Sequence, residues 1–169
     1  PYRVHEEPSE ERILEFAETA LEFGIKIDTS SYKAYSHSIN EMVAKIEGTM
    51  EGDILQPLAI RSMQKAYYTS QKIGHFGLAF DYYAHFTSPI RRYPDLITHR
   101  MLNDYLTKHK SFDYGDVEKM ASHSSKQEQK ATSAERASTK YKQVEYLANF
   151  KGEEFDGIIS GVTDWGIFV

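Results

Sequence analysis

The longest uninterrupted segment of the sequence restricts the possible folds most strongly. From about Tyr114 to Phe150 there is neither glycine nor proline after Gly115. Because these two residues most often end helices, the segment predicts one helix of about 35 residues. One face of its middle part is small or polar where a core helix carries leucine, and consists of Ser124, Gln127, Glu128, Ala131, Ala134, Glu135 and Ser138. Such a face suits a solvated groove, and a plainly exposed helix fits the same pattern.

Composition predicts a folded protein without membrane or export signals. The chain has 169 residues, 40% of them hydrophobic and 27% charged, which suits one ordinary globular domain. It contains no run of about 18 to 20 apolar residues, as a membrane span needs. The first residues, Pro1 to Glu11, are acidic and do not resemble a secretion signal. The absence of cysteine excludes disulfides and thiolate zinc sites and suits the reducing cytoplasm, where we expect the protein.

Three shorter helices are predicted in the first half of the chain. Apolar residues recur at helical spacing over residues 13–21, behind an acidic first turn. A second helix is predicted from about Ser38, because Ser38 and Glu41 have the spacing of a capping box. A third is predicted over residues 54–66, starting near Pro57, since proline is tolerated in a first helical turn. Their apolar stripes are expected to form a core.

Two parts of the chain predict β-structure. The segment Tyr67–Ser88 is aromatic and punctuated by glycine, which favours short strands. Beyond Gly152 the sequence is again apolar, with Phe155, Ile158, Ile159, Val162, Trp165, Ile167, Phe168 and Val169. These residues predict two strands around a turn at Thr163–Gly166. An isolated hairpin is marginal in water, so we expect the chain to stop inside a domain.

A fourth helix is predicted between these parts. Ser88 and Pro89 have the order of an N-cap followed by a first helical residue. The helix would carry Ile90 and place Arg91 and Arg92 in its first turn. Because the N–H groups of a first turn point outward and favour an anion, this arrangement predicts a phosphate site.

The charge is unevenly distributed along the chain. The formal net charge is −5, but residues 1–60 carry 5 Lys+Arg against 12 Asp+Glu, whereas residues 91–151 carry 12 against 8. The basic excess therefore lies in the segment that contains the fourth helix and the long helix. It suits a phosphate backbone, although a solvated helix face accounts for charge alone.

Two motifs and two flanking passages resemble a known family. The sequences GHFGLA at Gly74–Ala79 and HFTSPIRRYPDL at His85–Leu96 are similar to the signature of the ribonuclease II/R exoribonucleases. Tyr2–Pro8 resembles the passage that follows the family's catalytic acidic cluster. Glu153–Val162 resembles the first strand of its C-terminal oligonucleotide-binding (OB) barrel.

The resemblance implies an α+β fold and two domains. Residues 1–151 would be the mainly helical C-terminal portion of an RNB-type catalytic domain with a small β element. Residues 152–169 would be a truncated OB-type hairpin, the first strands of an incomplete RNA-binding domain. Both ends of the chain are therefore expected to lie inside larger units.

The family hydrolyses single-stranded RNA from the 3′ end to nucleoside 5′-monophosphates at a magnesium site built from aspartates. By the resemblance these aspartates lie upstream of the chain, and Asp113 and Asp116, in a predicted helix start, do not reproduce them. We therefore expect Mg²⁺ in the full-length parent and no metal site in the chain alone, which should be inactive. Single-stranded RNA is the expected partner, and no protein partner is predicted.

The resemblance marks Arg91 as the catalytic arginine beside the scissile phosphate. A planar guanidinium can contact two phosphate oxygens and never loses its charge. The neighbouring Arg92 is predicted to bind RNA, although it can instead pair with Asp95. Ser88, Tyr93 and Glu135 complete the predicted RNA-binding set, although Tyr93 can instead be a packing group and Glu135 a surface carboxylate. For His75, His85 and His99 we expect hydrogen-bonded structural roles, because a metal-dependent site needs no histidine base.

Three classes of function fit the sequence. The first is a processive exoribonuclease of the ribonuclease R type, acting in RNA degradation. The second is a noncatalytic RNA-binding relative that has lost the aspartates. The third is a helical scaffold that binds no RNA, against which the motifs argue strongly.

Overall fold

A computed structural model describes residues 1–157, 159 and 161–168. In chain order, its helices and strands are β1 Tyr2–Val4, α1 Glu10–Glu22, α2 Tyr32–Ile46, α3 Met50–Ser62, β2 Tyr67–Thr69, α4 Tyr93–Lys108, α5 Tyr114–Leu147, β3 Gly161–Thr163 and β4 Gly166–Phe168. The predicted α+β class is confirmed. None of the helices among the described residues is long and apolar enough to cross a membrane.

The chain divides into two compact units within α5. The first comprises Pro1–Lys126 and the second Gln127–Val169. The domain boundary that the resemblance places at 151/152 stays a prediction.

The core of the first unit is built by α1, α2 and α3. Its buried residues are Ile13, Phe16, Ala20, Ile27, Tyr35, Ile39, Met42, Ile46, Leu55 and Ala59. Tyr35 is fully buried, and its hydroxyl lies 2.9 Å from Oγ of Ser62. Because Ser62 donates its own proton to the carbonyl of Ala59 at 2.7 Å, Tyr35 is the donor to Ser62. The one polar group that Tyr35 brings into the core is thus satisfied.

The first predicted helix is confirmed as α1, but α2 begins earlier than the capping-box spacing suggested. Ser31 is the N-cap, and its Oγ accepts the N–H of Ala34 at 3.2 Å. Ser38 lies inside the helix, and its hydroxyl accepts the N–H of Asp28 at 3.1 Å. Starting the helix at Tyr32 also buries Tyr35, a gain that the local pattern around Ser38 does not reveal.

The predicted start of α3 near Pro57 is wrong. Thr49 caps the helix by accepting the N–H of Gly52 at 3.2 Å, so Pro57 lies in the helix interior. The turn between α2 and α3 is tight, because a Cβ on Gly52 would come within 2.2 Å of the carbonyl oxygen of Ile46. The early start adds buried Leu55 to the core, which offsets the cost of an interior proline.

In the predicted β segment Tyr67–Ser88, only Tyr67–Thr69 forms a strand, and its partner β1 lies outside that segment. β1 pairs with β2, with Arg3 opposite Tyr68. β3 pairs with β4 around a turn that joins Thr163 to Gly166, as predicted. Of the residues named for this hairpin, Ile158 and Val169 lie outside the described residues. The OB-type assignment of the hairpin stays a prediction.

The long helix is confirmed as α5, with 34 residues. Its buried residues are Val117, Ala121, Ser124 and Ser125. Glu118 fastens it to the end of β2, because one carboxylate oxygen accepts the hydroxyl of Thr69 and both the N–H and the hydroxyl of Ser70, at 2.7–2.8 Å. These hydrogen bonds lower the pKa of Glu118 against the opposing effect of burial, so the carboxylate stays charged.

Candidate functional site

The segment that carries Arg91 and Arg92 is a turn before α4, not the first turn of a helix. α4 begins at Tyr93 with Arg92 as its N-cap, and Ile90, expected in the helix, is 98% exposed. Pro94 explains the later start. A helix opening at Pro89 would need an N–H from Pro94, which has none, and the proline ring would clash with the carbonyl of Ile90. Beginning at Tyr93 instead puts Pro94 in the first turn, where no donor is needed.

The turn is closed by its own backbone. The carbonyl of Ser88 accepts the N–H of Arg91 at 3.2 Å and the N–H of Arg92 at 3.0 Å. Between these groups the chain reverses direction, and Ile90 and Arg91 project from the turn into solvent.

A buried carboxylate on α4 holds both ends of this turn. Asp95 is fully buried, and its Oδ2 accepts the N–H of Ser88 at 2.8 Å and Nη2 of Arg92 at 2.9 Å. Burial alone would raise the pKa of Asp95, but the hydrogen bonds from Ser88 and Arg92 outweigh burial and lower it. Asp95 is therefore a carboxylate at neutral pH.

His99 supplies a second anchor from the same helix face. It lies four residues after Asp95, one turn along α4. Its Nε2 lies 2.7 Å from the carbonyl oxygen of Phe86, which can only accept, so Nε2 carries the proton. The rings of Phe86 and His99 also pack at a centroid distance of 4.1 Å. Asp95 and His99 thus hold two backbone groups of the segment that leads into the turn.

A third anchor lies at the start of this segment. His85 Nδ1 lies 2.8 Å from the hydroxyl of Tyr68 in β2. Tyr68 is buried, and its backbone N–H is accepted by Oγ of Ser125 in α5 at 2.8 Å. The segment from His85 to Arg92 is therefore tied to β2 and α4, and through Tyr68 to α5.

The structure gathers four of the five predicted site residues at the turn. The Arg91 side chain is exposed and forms no hydrogen bond or ion pair with any described residue. Arg92 takes the alternative considered for it and pairs with Asp95, with 21% of its side chain exposed. Tyr93 follows, 49% exposed, and Ser88 contributes its backbone to the turn. Glu135 lies in the second unit, on an exposed part of α5.

The three histidines differ from one another. The expected hydrogen-bonded roles are confirmed for His85 and His99. For His75 the expectation is wrong at Nδ1, which is buried without a partner among the described residues. The His75 ring packs instead against His5 and Tyr83, at centroid distances of 5.2 and 5.3 Å. Burial, followed by the neighbouring His5, lowers the pKa of His75, which favours the neutral ring.

Among the described residues of the turn, Arg91 is a cation without a partner, next to a backbone held by Asp95 and His99. A guanidinium binds a phosphate through two parallel hydrogen bonds, and Arg91 has all of its side-chain donors available. The described residues contain no group of three or more histidine, aspartate or glutamate side chains that could hold a metal ion. The side chain that the turn presents to solvent is the cationic Arg91, so the chemistry that the turn itself supports is binding and orientation of an anion.

Sequence reasoning predicted a hydrogen-bonded role for His99 and a pairing of Asp95 with Arg92, but it missed that both side chains bind the backbone of the segment before α4. Their spacing of four residues places them on one helix face, and this signal was available. Their partners are the backbone N–H of Ser88, which donates to Asp95, and the carbonyl of Phe86, which accepts from His99, and no side-chain pattern identifies these groups.

Comparison with known proteins assigns the chain to a family. The model of the RNB domain matches residues 1–108, the part of the chain that contains the core helices, the turn and α4. The chain therefore belongs to the RNB domain family. Within that family it is similar to ribonuclease R.

Two curated relatives illustrate this similarity. Ribonuclease R 1 of Lactococcus lactis is 38% identical over 177 residues, covering 99% of the chain and 21% of the relative. Ribonuclease R of Aquifex aeolicus is 40% identical over 172 residues, covering 99% of the chain and 24% of the relative. The chain thus spans about a fifth to a quarter of the length of these relatives.

Solved structures show the same fold. The apo form of Mycoplasma genitalium RNase R superposes with a TM-score of 0.87 at 31% identity, covering 99% of this chain and 27% of that one. The same protein in complex with ribose methylated single-stranded RNA gives a TM-score of 0.86, with the same identity and coverage.

Proposed function

We propose that the full-length protein is a processive 3′-to-5′ exoribonuclease of the ribonuclease R type, which hydrolyses single-stranded RNA to nucleoside 5′-monophosphates with Mg²⁺ and acts in RNA degradation in the cytoplasm. The observation that carries this proposal is Arg91, an exposed guanidinium without a partner among the described residues, beside a turn held by a buried carboxylate. Family membership supplies the reaction class.

The role proposed for Arg91 is to contact the scissile phosphate. Phosphoryl transfer spreads negative charge over the phosphate oxygens, and a fixed guanidinium stabilises that charge. Because the turn already holds the backbone of Arg91, little reorganisation is needed when the phosphate arrives. Magnesium would supply the metal chemistry in the full-length protein.

RNA as the partner is supported by the structures of Mycoplasma genitalium RNase R in complex with ribose methylated single-stranded RNA and with double-stranded RNA. The basic excess over residues 91–151 agrees with a partner that carries phosphates. Ser88, Tyr93 and Glu135 are proposed to contact the strand, Tyr93 by stacking its half-exposed ring on a base.

The test is hydrolysis of a 5′-labelled single-stranded RNA by the full-length protein with magnesium, resolved at single-nucleotide steps. Arg91→Ala is expected to slow shortening by about 10² to 10⁴. Arg100→Ala is the matched control, because it removes an exposed arginine from α4 without touching the turn. The 169-residue chain alone, run on the same gel, is expected to leave the RNA intact.

Other outcomes have distinct meanings. Equal slowing by both arginine variants would mean that Arg91 contributes only positive charge, as any exposed arginine does, and has no specific role at the scissile phosphate. RNA binding by the full-length protein without any shortening would identify a noncatalytic relative of the family, and the absence of binding would favour a scaffold.

A further inference from the structure

Asp95 is a buried charge, and its ion pair with Arg92 does not by itself explain why a charge is placed there. Burying a carboxylate is costly unless it is paired and hydrogen-bonded. Asp95 nevertheless keeps Oδ1 buried without a partner among the described residues, as does Nε of its partner Arg92. The pair is thus incompletely satisfied, and apolar residues of similar size would often stabilise such a site as well or better. This points to a role in local geometry.

We propose that Asp95 and Arg92 are positioning residues that hold the Ser88–Arg92 turn in the one conformation that presents Arg91 to the phosphate. The inference rests on the proposed function of Arg91. It assigns Arg92 to the support of the site, which alters the role in RNA binding predicted for that residue.

The contacts of Asp95 restrain the turn at both ends. A single oxygen, Oδ2, accepts from the backbone N–H of Ser88 before the turn and from Nη2 of Arg92 after it, at 2.8 and 2.9 Å. The carbonyl of Ser88 meanwhile accepts the N–H of Arg91. These hydrogen bonds therefore oppose a displacement of the Arg91 backbone relative to α4.

Asp95 also makes the two adjacent arginines different, because it compensates the charge of one of them and not that of the other. Arg92 lies against the negative charge of Asp95, so its own positive charge is largely compensated. Arg91, which has no such partner among the described residues, keeps its full charge at the exposed side of the turn. One cation is used for support and the other remains for the ligand.

The test is a double-variant cycle in the full-length protein. Asp95→Asn removes the charge and keeps the shape of the side chain, and it is measured alone and together with Arg91→Ala. We expect Asp95→Asn to slow hydrolysis by about 10- to 100-fold, because small displacements of a catalytic group have effects of this size. In the Arg91→Ala background it should cause no further slowing, since there is no guanidinium left to position.

A merely structural role gives a different pattern. Loss of folded protein would lower the rate by the same factor in both backgrounds, and that result would overturn the proposal, as would an unchanged rate in Asp95→Asn. Asp104→Asn is the matched control, because it removes a carboxylate from an exposed pair with Lys108 on the same helix. It should leave the rate unchanged in both backgrounds.

Arg92→Lys provides a second cycle if Asp95→Asn does not fold. It retains a cation beside Asp95 but loses the guanidinium whose Nη2 donates to Oδ2 of Asp95. The same coupling to Arg91 is expected. If the unmodified protein does not hydrolyse RNA, the proposed function fails, whatever the result for Asp95. The same variant cycles are then measured by RNA affinity. Coupling to Arg91 supports the positioning role, and additive effects contradict it.

Discussion

Asp95 shows how a single residue can be charged and buried together. Its carboxylate is removed from solvent, yet hydrogen bonds from Ser88 and Arg92 hold its pKa below the ordinary 3.8. Because the pKa is lower in the folded state, the ionised carboxyl stabilises the folded chain at pH values above its ordinary pKa. That contribution is lost as the pH falls through the folded-state value, where Asp95 becomes protonated.

This sign predicts the pH dependence of an Asp95 variant. At neutral pH, Asp95→Asn should lower the free energy of unfolding of the 169-residue chain by about 3 kcal/mol, because charge-assisted hydrogen bonds are lost in a buried site. The difference from the unmodified chain should begin to shrink as the pH falls below the ordinary pKa of 3.8 and be smallest below the folded-state value, where the native carboxyl is protonated. Urea titrations over this pH range measure both effects. A difference that stays constant with pH would show that the charge of Asp95 does not matter.

Among the helices, α3 combines a residue that disfavours a helix, Pro57, with neighbours that are buried when the helix forms. Pro57 lies in its interior and is exposed, so it leaves the carbonyl of Asp53 without its usual donor and contributes no burial. Leu55 and Ala59, on either side of it, are buried in the core. The helix forms because the burial of its neighbours outweighs the unfavourable proline.

The same reasoning predicts that Pro57→Ala stabilises the chain. Alanine restores the missing N–H and removes the clash of the ring, which together outweigh the added freedom of the unfolded chain. We expect the free energy of unfolding to rise by about 2 kcal/mol in urea titrations. Ile60→Ala is the control, because Ile60 lies on the same helix and is 71% exposed. A loss of stability in Pro57→Ala would mean that the proline ring contributes packing.

Over the whole molecule, burial is concentrated in the first unit. All four buried residues of α5 lie between Val117 and Ser125, before the division at Lys126. In the remainder of α5, over residues 127–147, none of the described side chains is buried. A helical segment of about 20 residues that buries none of its side chains is marginal in water.

Hydrogen exchange of the 169-residue chain should therefore divide α5 in two. Amides of residues 127–147 are expected to exchange much faster than those of residues 118–126, because opening the second segment disrupts no buried contact. The amides of α1, which carries three core residues, serve as the protected reference. Equal protection along the whole of α5 would contradict this division.

The sequence alone determined the features that depend on neighbouring residues. α1 follows from its apolar spacing, α5 from the absence of helix-breaking residues, and the β3–β4 hairpin from its glycine-punctuated apolar segment. The motif at His85–Leu96 identified the family, and the spacing of Arg92 and Asp95 allowed their pairing. Each of these depends on interactions within a few residues, which composition and periodicity report directly.

Only the tertiary structure decided the helix starts and the architecture of the turn. α2 and α3 begin early because Tyr35 and Leu55 gain burial against partners distant in the sequence. Asp95 and His99 act on backbone groups of Ser88 and Phe86, whose placement depends on Tyr68 meeting His85 across the fold. Burial and backbone hydrogen bonds between distant segments exist only once the chain has closed on itself, so no local pattern encodes them.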